Sequence, residues 1–414
     1  MLYWRWLLND YEDFCVIKFL SLRLNCIFYM KKLLFGSIIL MLFFVACSKR
    51  DIPSQNTTTN DSNIIKPPLP NTIDKTDSLK VMAYNILNYG DGCQGTTDTL
   101  NDYLDTIIQF VQPDLLSCEK MSSFQLTQDP STNFALGITN SMNTVFPNRY
   151  AYATPTNQSG GVMNVLFYNQ QKLTYVKTEL LVSYITDFDL YKLYYNDPNL
   201  SITHDTTFLY VALNHTQSGS SSTTRDQQVT EEMQALRNKF LYFPNLIIMG
   251  DFNTQTSSEA GYQDIISNVD TSTMMSDPSF YPDKVNSYPA DWTNKSFLFE
   301  SYLTTSTRLW ATIPNSCGTS GGAMSWYDHL FISPWLVKDS NYIAYIPNSY
   351  KTIGNDGNRL NESINSTSPV VNTSAPASVL NALFQMSNKY PVTVSLQIKA
   401  NRSTNGPADP VEQN

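Results

Sequence analysis

Apolar residues in this chain come in short runs broken by polar, turn-forming stretches, and the spacing within each run predicts its element. Runs at Leu79–Ile86, Leu115–Cys118, Val162–Tyr168, Phe208–Leu213, Leu246–Met249, His329–Ile332 and Val392–Ile398 predict strands. Helical spacing appears over Thr99–Val111, just before a strand. It recurs over Thr224–Phe240, where Val229, Met233, Leu236 and Phe240 share a face. Residues 186–206, 256–300 and 345–378 read as loop-rich. Strands alternating with a few helices indicate a layered α/β domain, placed at residues 79–399.

The ends read differently. Met30-Lys31-Lys32 opens a basic stretch, and an apolar run from Leu33 to Ala46 follows, too short for a typical spanning helix. It closes on Phe44-Val45-Ala46-Cys47. Residues 30–46 resemble a bacterial lipoprotein signal, with Cys47 the lipid-bearing residue and residues 1–29 an upstream extension. Ser48 after Cys47 points to the outer membrane of the cell envelope. Residues 47–78 are rich in Ser, Thr, Asn and Pro and read as a flexible tether. Residues 400–414 read as a loose tail.

Composition narrows the function. Of the 414 residues, 42% are hydrophobic, ample for a large core. Removing residues 1–46 leaves 22 basic and 33 acidic residues, a net charge of −11. A broadly basic surface for nucleic acid is therefore excluded. Cys93, Cys118 and Cys317 remain after Cys47. Export permits one disulfide among them, and a Cys93–Cys317 pair is left open. With three His in all, there is no zinc-type spacing.

Polar residues stand at the ends of the predicted strands, where layered folds place their sites. Glu119 follows the apolar run Leu115-Leu116-Ser117-Cys118, and a carboxylate at a strand mouth is a hard ligand for Mg²⁺ or Ca²⁺. Asn85 ends the first strand and can orient that carboxylate. Asp251 and Asn253 follow Leu246-Ile247-Ile248-Met249-Gly250, and their i, i+2 spacing puts both side chains on one side. His215 follows Leu213-Asn214 and can bind phosphate or move a proton. Asp328 opens Asp328-His329-Leu330-Phe331-Ile332. His329, next to it on a strand, points the other way and reads as structural. Alone, each of these residues is an ordinary strand-end polar group.

Together, in this order, they resemble the endonuclease/exonuclease/phosphatase superfamily over residues 79–399. The resemblance implies a DNase I-like four-layer sandwich, two mainly antiparallel β-sheets flanked by helices. It implies a divalent metal, Mg²⁺ with Mn²⁺ or Ca²⁺ as alternatives, held by Glu119 and Asn85. It implies a phosphate-contacting His215, a water-orienting pair in Asp251 and Asn253, and Asp328 orienting a catalytic imidazole. The expected protein is a monomeric, metal-dependent phosphoester hydrolase, lipid-anchored to the membrane.

One motif departs. The family's closing Ser-Asp-His-x-Pro-Val stands here as Ser387-Asn388-Lys389-Tyr390-Pro391-Val392. Asn388 is neutral and weakens a metal site. For Lys389 to act as a base near neutral pH its pKa must fall by about 3, which costs roughly 4 kcal/mol. A protonated Lys389 instead steadies negative charge, or pairs with Asp328. The alternative function is thus an inactive family member that binds a phosphorylated ligand or partner. A lipid-anchored adhesion or glycan-binding module, with Tyr and Trp lining a groove, is a third reading, opposed by the ordered motifs.

Overall fold

A computed structural model describes residues 76–280, 300–310 and 317–399. The expected signal at 30–46, the lipid-bearing Cys47, most of the tether and the tail from Ala400 lie outside the described residues. The strands are β1 (Thr76–Tyr89), β2 (Leu115–Met121), β3 (Tyr150–Tyr152), β4 (Met163–Asn169), β5 (Leu173–Ser183) and β6 (Asp187–Tyr195). They continue as β7 (Phe208–His215), β8 (Leu246–Asp251), β9 (Asp328–Ile332), β10 (Ile343–Tyr345), β11 (Lys351–Thr352) and β12 (Val392–Lys399). The α-helices are α1 (Thr97–Val111), α2 (Phe134–Val145), α3 (Leu200–Thr203), α4 (Thr223–Lys239), α5 (Ala260–Ile266), α6 (Pro334–Lys338) and α7 (Ala377–Met386).

Two sheets form. One runs β10-β12-β1-β2-β4-β3, with β11 also on β12; the other runs β5-β6-β7-β8-β9 in chain order. Each is antiparallel except for a single parallel pair, β1–β2 in the first and β7–β8 in the second. The sheets face each other. Helix α1 packs with α2 and α7 beside the first sheet, and α4 packs with α5 and β5 at the second. This is the four-layer, mainly antiparallel architecture that the motif order implied.

The central strands are covered on both faces, so their sequences are nearly continuous apolar runs. Every residue of β8 is buried, Asp251 included. Helix α1 starts where the Thr96 hydroxyl accepts the Thr99 N–H, and it turns Leu100, Leu104, Ile107, Ile108 and Val111 inward.

The loop-rich reading of 186–206 is corrected, because β6 lies inside it. Its apolar positions Phe188, Leu190 and Leu193 are interleaved with Asp187, Asp189 and Lys192, which hid the strand. Thr156 holds both acids, its hydroxyl reaching Asp187 Oδ2 at 2.8 Å and Asp189 Oδ1 at 2.6 Å. Helix α5 likewise sits inside the stretch 256–300. Cys93 and Cys317 form a disulfide, Cα atoms 5.8 Å apart, and Cys118 is free and buried.

Candidate active site

The two parallel pairs end at the same mouth of the sandwich. At the end of β1–β2, Asn85 stands opposite Glu119. At the end of β7–β8, His215 stands opposite Asp251, and across β8–β9 Asp251 stands opposite Asp328. The loop entering β12 brings Asn388 and Lys389 to this row. Ser387 Oγ donates to Asn85 O at 2.7 Å and accepts the Lys389 N–H at 3.1 Å. Six stretches of chain, ending β1, β2, β7 and β8, opening β9 and entering β12, thus converge.

Gly250 is required for the row to close. A Cβ there would stand 2.0 Å from Asn214 O, at a φ of +150°. Asn253 takes the left-handed conformation (φ 48°), and its N–H donates to Asp251 Oδ1 at 3.1 Å. Its amide nitrogen donates to Thr216 O at 3.0 Å. The Asx turn and the polar pair therefore coexist.

A cleft of about 380 Å³ opens at this mouth, lined among others by Asn85, Lys120, His215, Asp251, Asn253 and Lys389. A larger groove of about 730 Å³, lined by Lys80, Tyr302, Tyr350 and Lys351, holds none of the motif residues. The contributions of Lys120, Gln255, Thr319 and the 218–220 loop to the cleft were not singled out from sequence. Lys120 reaches it from an irregularity in β2, where it adopts φ 60°. Ser218, Gly219 and Ser220, just after His215, complete this wall.

Lys389 dominates the electrostatics. Its ammonium lies 2.8 Å from Asp251 Oδ2 and 3.7 Å from Asp328 Oδ2, and 4.7 Å above the centre of the Tyr327 ring. The expected pairing with Asp328 is therefore secondary to the pair with Asp251. Burial would lower the Lys389 pKa, but Asp251 and Asp328 hold it above the ordinary lysine value. Asp251 is also buried, yet Lys389 and His215 hold it down to about 2. Asp328 is pushed up to about 7, chiefly by burial, against the pull of Lys389. Burial also raises Glu119 well above the carboxylate range, with Asp328 and Asp251 adding to the effect. Burial drives His215 down to about 4, so its imidazole is neutral at pH 7.

The Glu119–Asn85 pair offers a divalent cation one unpartnered atom. Glu119 is fully buried and does not line the cleft; its Oε1 takes the Ser117 hydroxyl, leaving Oε2 without a partner. Asn85 is turned away from ligand duty. Its Nδ2 donates to Asp251 Oδ2 at 2.8 Å, and its Oδ1 accepts the Leu87 N–H at 2.9 Å. Asp251 is held by Asn253, Asn85 and Lys389. Among the described residues, no trio of His, Cys, Asp or Glu at this mouth brings its ligand atoms within 4.8 Å of one another. The residues as placed fit the Glu119–Asn85 ion site poorly, because Asn85 Oδ1 is engaged and Glu119 Oε2 alone of that pair is open, while a lysine ammonium already stands between the other two carboxylates, Asp251 and Asp328. Asp328, expected to orient an imidazole, faces the Lys389 ammonium instead. The adjacent His329 points away as expected, with Nδ1 3.3 Å from Asp277 Oδ2 and Trp326 packed on it at 4.6 Å.

No family model and no curated protein matches the chain. Solved structures do. A D. rerio TDP2 complexed with single-strand DNA product is 11% identical, covering 77% of this chain and 99% of that one, TM-score 0.47. A Bacteroides thetaiotaomicron endonuclease/exonuclease/phosphatase family protein is 14% identical, covering 78% and 99%, TM-score 0.43. The human Nocturnin catalytic domain with bound sulfate is 13% identical, covering 78% and 96%, TM-score 0.44. At these identities the likeness concerns the fold alone. The sheet order of this chain and the meeting of its ordered motifs at one mouth are those of a DNase I-like four-layer sandwich.

Proposed function

We propose that this domain is a phosphoester hydrolase acting on a phosphoryl group seated in the cleft. One observation carries the reading: Asn85, His215, Asp251, Asn253 and Lys389, far apart in sequence, line one cleft of about 380 Å³. The cleft pairs a proton acceptor with cations, as phosphoester hydrolysis requires. Lys120 and the free amide hydrogen of Asn253 face the phosphoryl oxygens. Asp251, fixed by three neighbours, orients the attacking water; held at about 2, it is a poor proton acceptor. His215, neutral and with Nδ1 unpartnered, accepts the water's proton. The new oxygen–phosphorus bond forms as the bond to the leaving oxygen breaks, and that oxygen takes a proton from solvent. Preorganised charge supplies the rest of the stabilisation.

The net charge of −11 after residue 46 favours a small phosphoester over duplex nucleic acid. Tyr327 is the sole Tyr, Trp or Phe on the cleft among the described residues, which argues against a glycan-stacking groove. Lipid attachment at Cys47 would present the domain at the cell envelope, as a monomer on its tether. Palmitate labelling lost in Cys47→Ala supports that location, and labelling unchanged by the substitution contradicts it.

The test of the activity is hydrolysis of bis-p-nitrophenyl phosphate and of plasmid DNA. Asp251→Asn and His215→Ala should each lower turnover by about 100-fold or more. Absence of turnover on both substrates, with binding of a phosphate analogue retained, would instead establish the inactive ligand-binding member. The engagement of both Asp251 oxygens is the observation that favours that second reading.

A further inference from the structure

We propose that the Lys389 ammonium is the resident cation of this site, standing where a divalent ion would balance the carboxylates, so that the mouth takes up no divalent metal. Three observations meet in this inference. The first is position: Nζ lies 2.8 Å from Asp251 and 3.7 Å from Asp328, sealed from solvent in a residue 6% exposed. The second is donor availability. Asn85 spends its amide oxygen on Leu87 and its amide nitrogen on Asp251, which leaves Glu119 Oε2 as the only atom of the Glu119–Asn85 pair without a partner. The third is immobility. The backbone around Lys389 is pinned by Ser387 Oγ, by a bridge to Thr305, and by the Tyr390 N–H on Thr304 O at 2.8 Å. The ammonium thus projects from a fixed backbone onto both aspartates and the Tyr327 ring.

Charge and size explain the exclusion. A divalent ion entering beside Lys389 would meet a fixed positive charge within a few ångströms, in a medium that screens it poorly. It would also have to give up its water at a pair whose amide oxygen, Asn85 Oδ1, is already engaged. The lysine brings one charge where the ion would bring two. Lys389 is on this account a positioning residue. It fixes Asp251 and the local field, and Lys120 and His215 meet the ligand.

The inference rests on the same cleft as the proposed hydrolysis but is tested apart from turnover. Mn²⁺ is titrated into the protein and its binding followed by calorimetry and by the loss of the free-ion electron-spin signal. The native chain should bind Mn²⁺ no more tightly than about millimolar. The Asn388→Asp/Lys389→His variant should bind at least about 100-fold more tightly, an effect removed by adding Glu119→Gln. Micromolar Mn²⁺ binding by the native chain, abolished by Glu119→Gln, overturns the inference. So does a folded double variant that gains no affinity, because Lys389 would then not be what excludes the ion. If the double variant does not fold, Lys389→Met serves in its place under the same criteria, and the native titration decides independently of either. A protein without phosphoester turnover that behaves this way loses the hydrolase reading and keeps this one.

Discussion

Replacing Lys389 by Met removes the ammonium and keeps the apolar length of the side chain. At an effective dielectric constant near 20, unit charges at 2.8 Å attract by about 6 kcal/mol, and at 3.7 Å by about 4.5 kcal/mol. The gain lost is partly offset, because the buried ammonium no longer has to be desolvated, at several kcal/mol. Loss of one partner from a buried pair then costs a net of about 3–5 kcal/mol near pH 8. The pH dependence follows from Asp251. In the native protein it is held at about 2 against burial, so it is ionised in both folded and unfolded states from pH 5 upward. Without Lys389, burial raises its pKa, and the folded variant keeps a proton that the unfolded chain gives up near 3.9. Stability of the variant therefore falls as pH rises, at up to 1.36 kcal/mol per pH unit, and the deficit near pH 5 is smaller than near pH 8 by up to about 4 kcal/mol. Urea unfolding of both proteins at about pH 5 and about pH 8 measures the two differences. A deficit under about 1 kcal/mol at pH 8, or one equal at both pH values, would refute the buried ion pair.

Further outcomes follow from other parts of the structure. Gly250→Ala places a Cβ 2.0 Å from Asn214 O at φ +150° and should cost at least about 2 kcal/mol in urea unfolding. Replacing Cys93 and Cys317 by Ser opens a loop spanning 224 positions, worth about 5 kcal/mol by chain entropy, and frees the Gly318–Thr319 wall of the cleft. The variant should unfold at lower urea and lose turnover together. The pH profile of kcat/KM should show an acid limb near pH 4, where His215 protonates, with activity lost below it; His215→Gln should flatten that limb.

The fold was legible because its central strands are buried on both faces, which forces Leu246–Met249, Phe208–Leu213 and Val392–Ile398 into unbroken apolar runs. β6 was not, since Asp187, Asp189 and Lys192 interrupt its pattern and Thr156, from a distant turn, satisfies its acids. Helix α7 is short and carries no capping side chain, so Val379, Leu380, Leu383 and Met386 announced it weakly. At the site, the motif order told which residues meet. It could not tell which of two aspartates takes Lys389, because that depends on the register of β8 against β9 and on the approach of the 387–389 loop. Nor could it tell that Asn85 turns to Asp251, or that Glu119 is fully buried.

The most direct test of the account is turnover of bis-p-nitrophenyl phosphate by the native protein in EDTA, with Asp251→Asn alongside. The account predicts hydrolysis that persists in EDTA and falls by about 100-fold or more in Asp251→Asn. Hydrolysis that vanishes in EDTA and returns with Mg²⁺ or Mn²⁺ would contradict a site run by a fixed lysine, and no hydrolysis under any condition would contradict an enzyme.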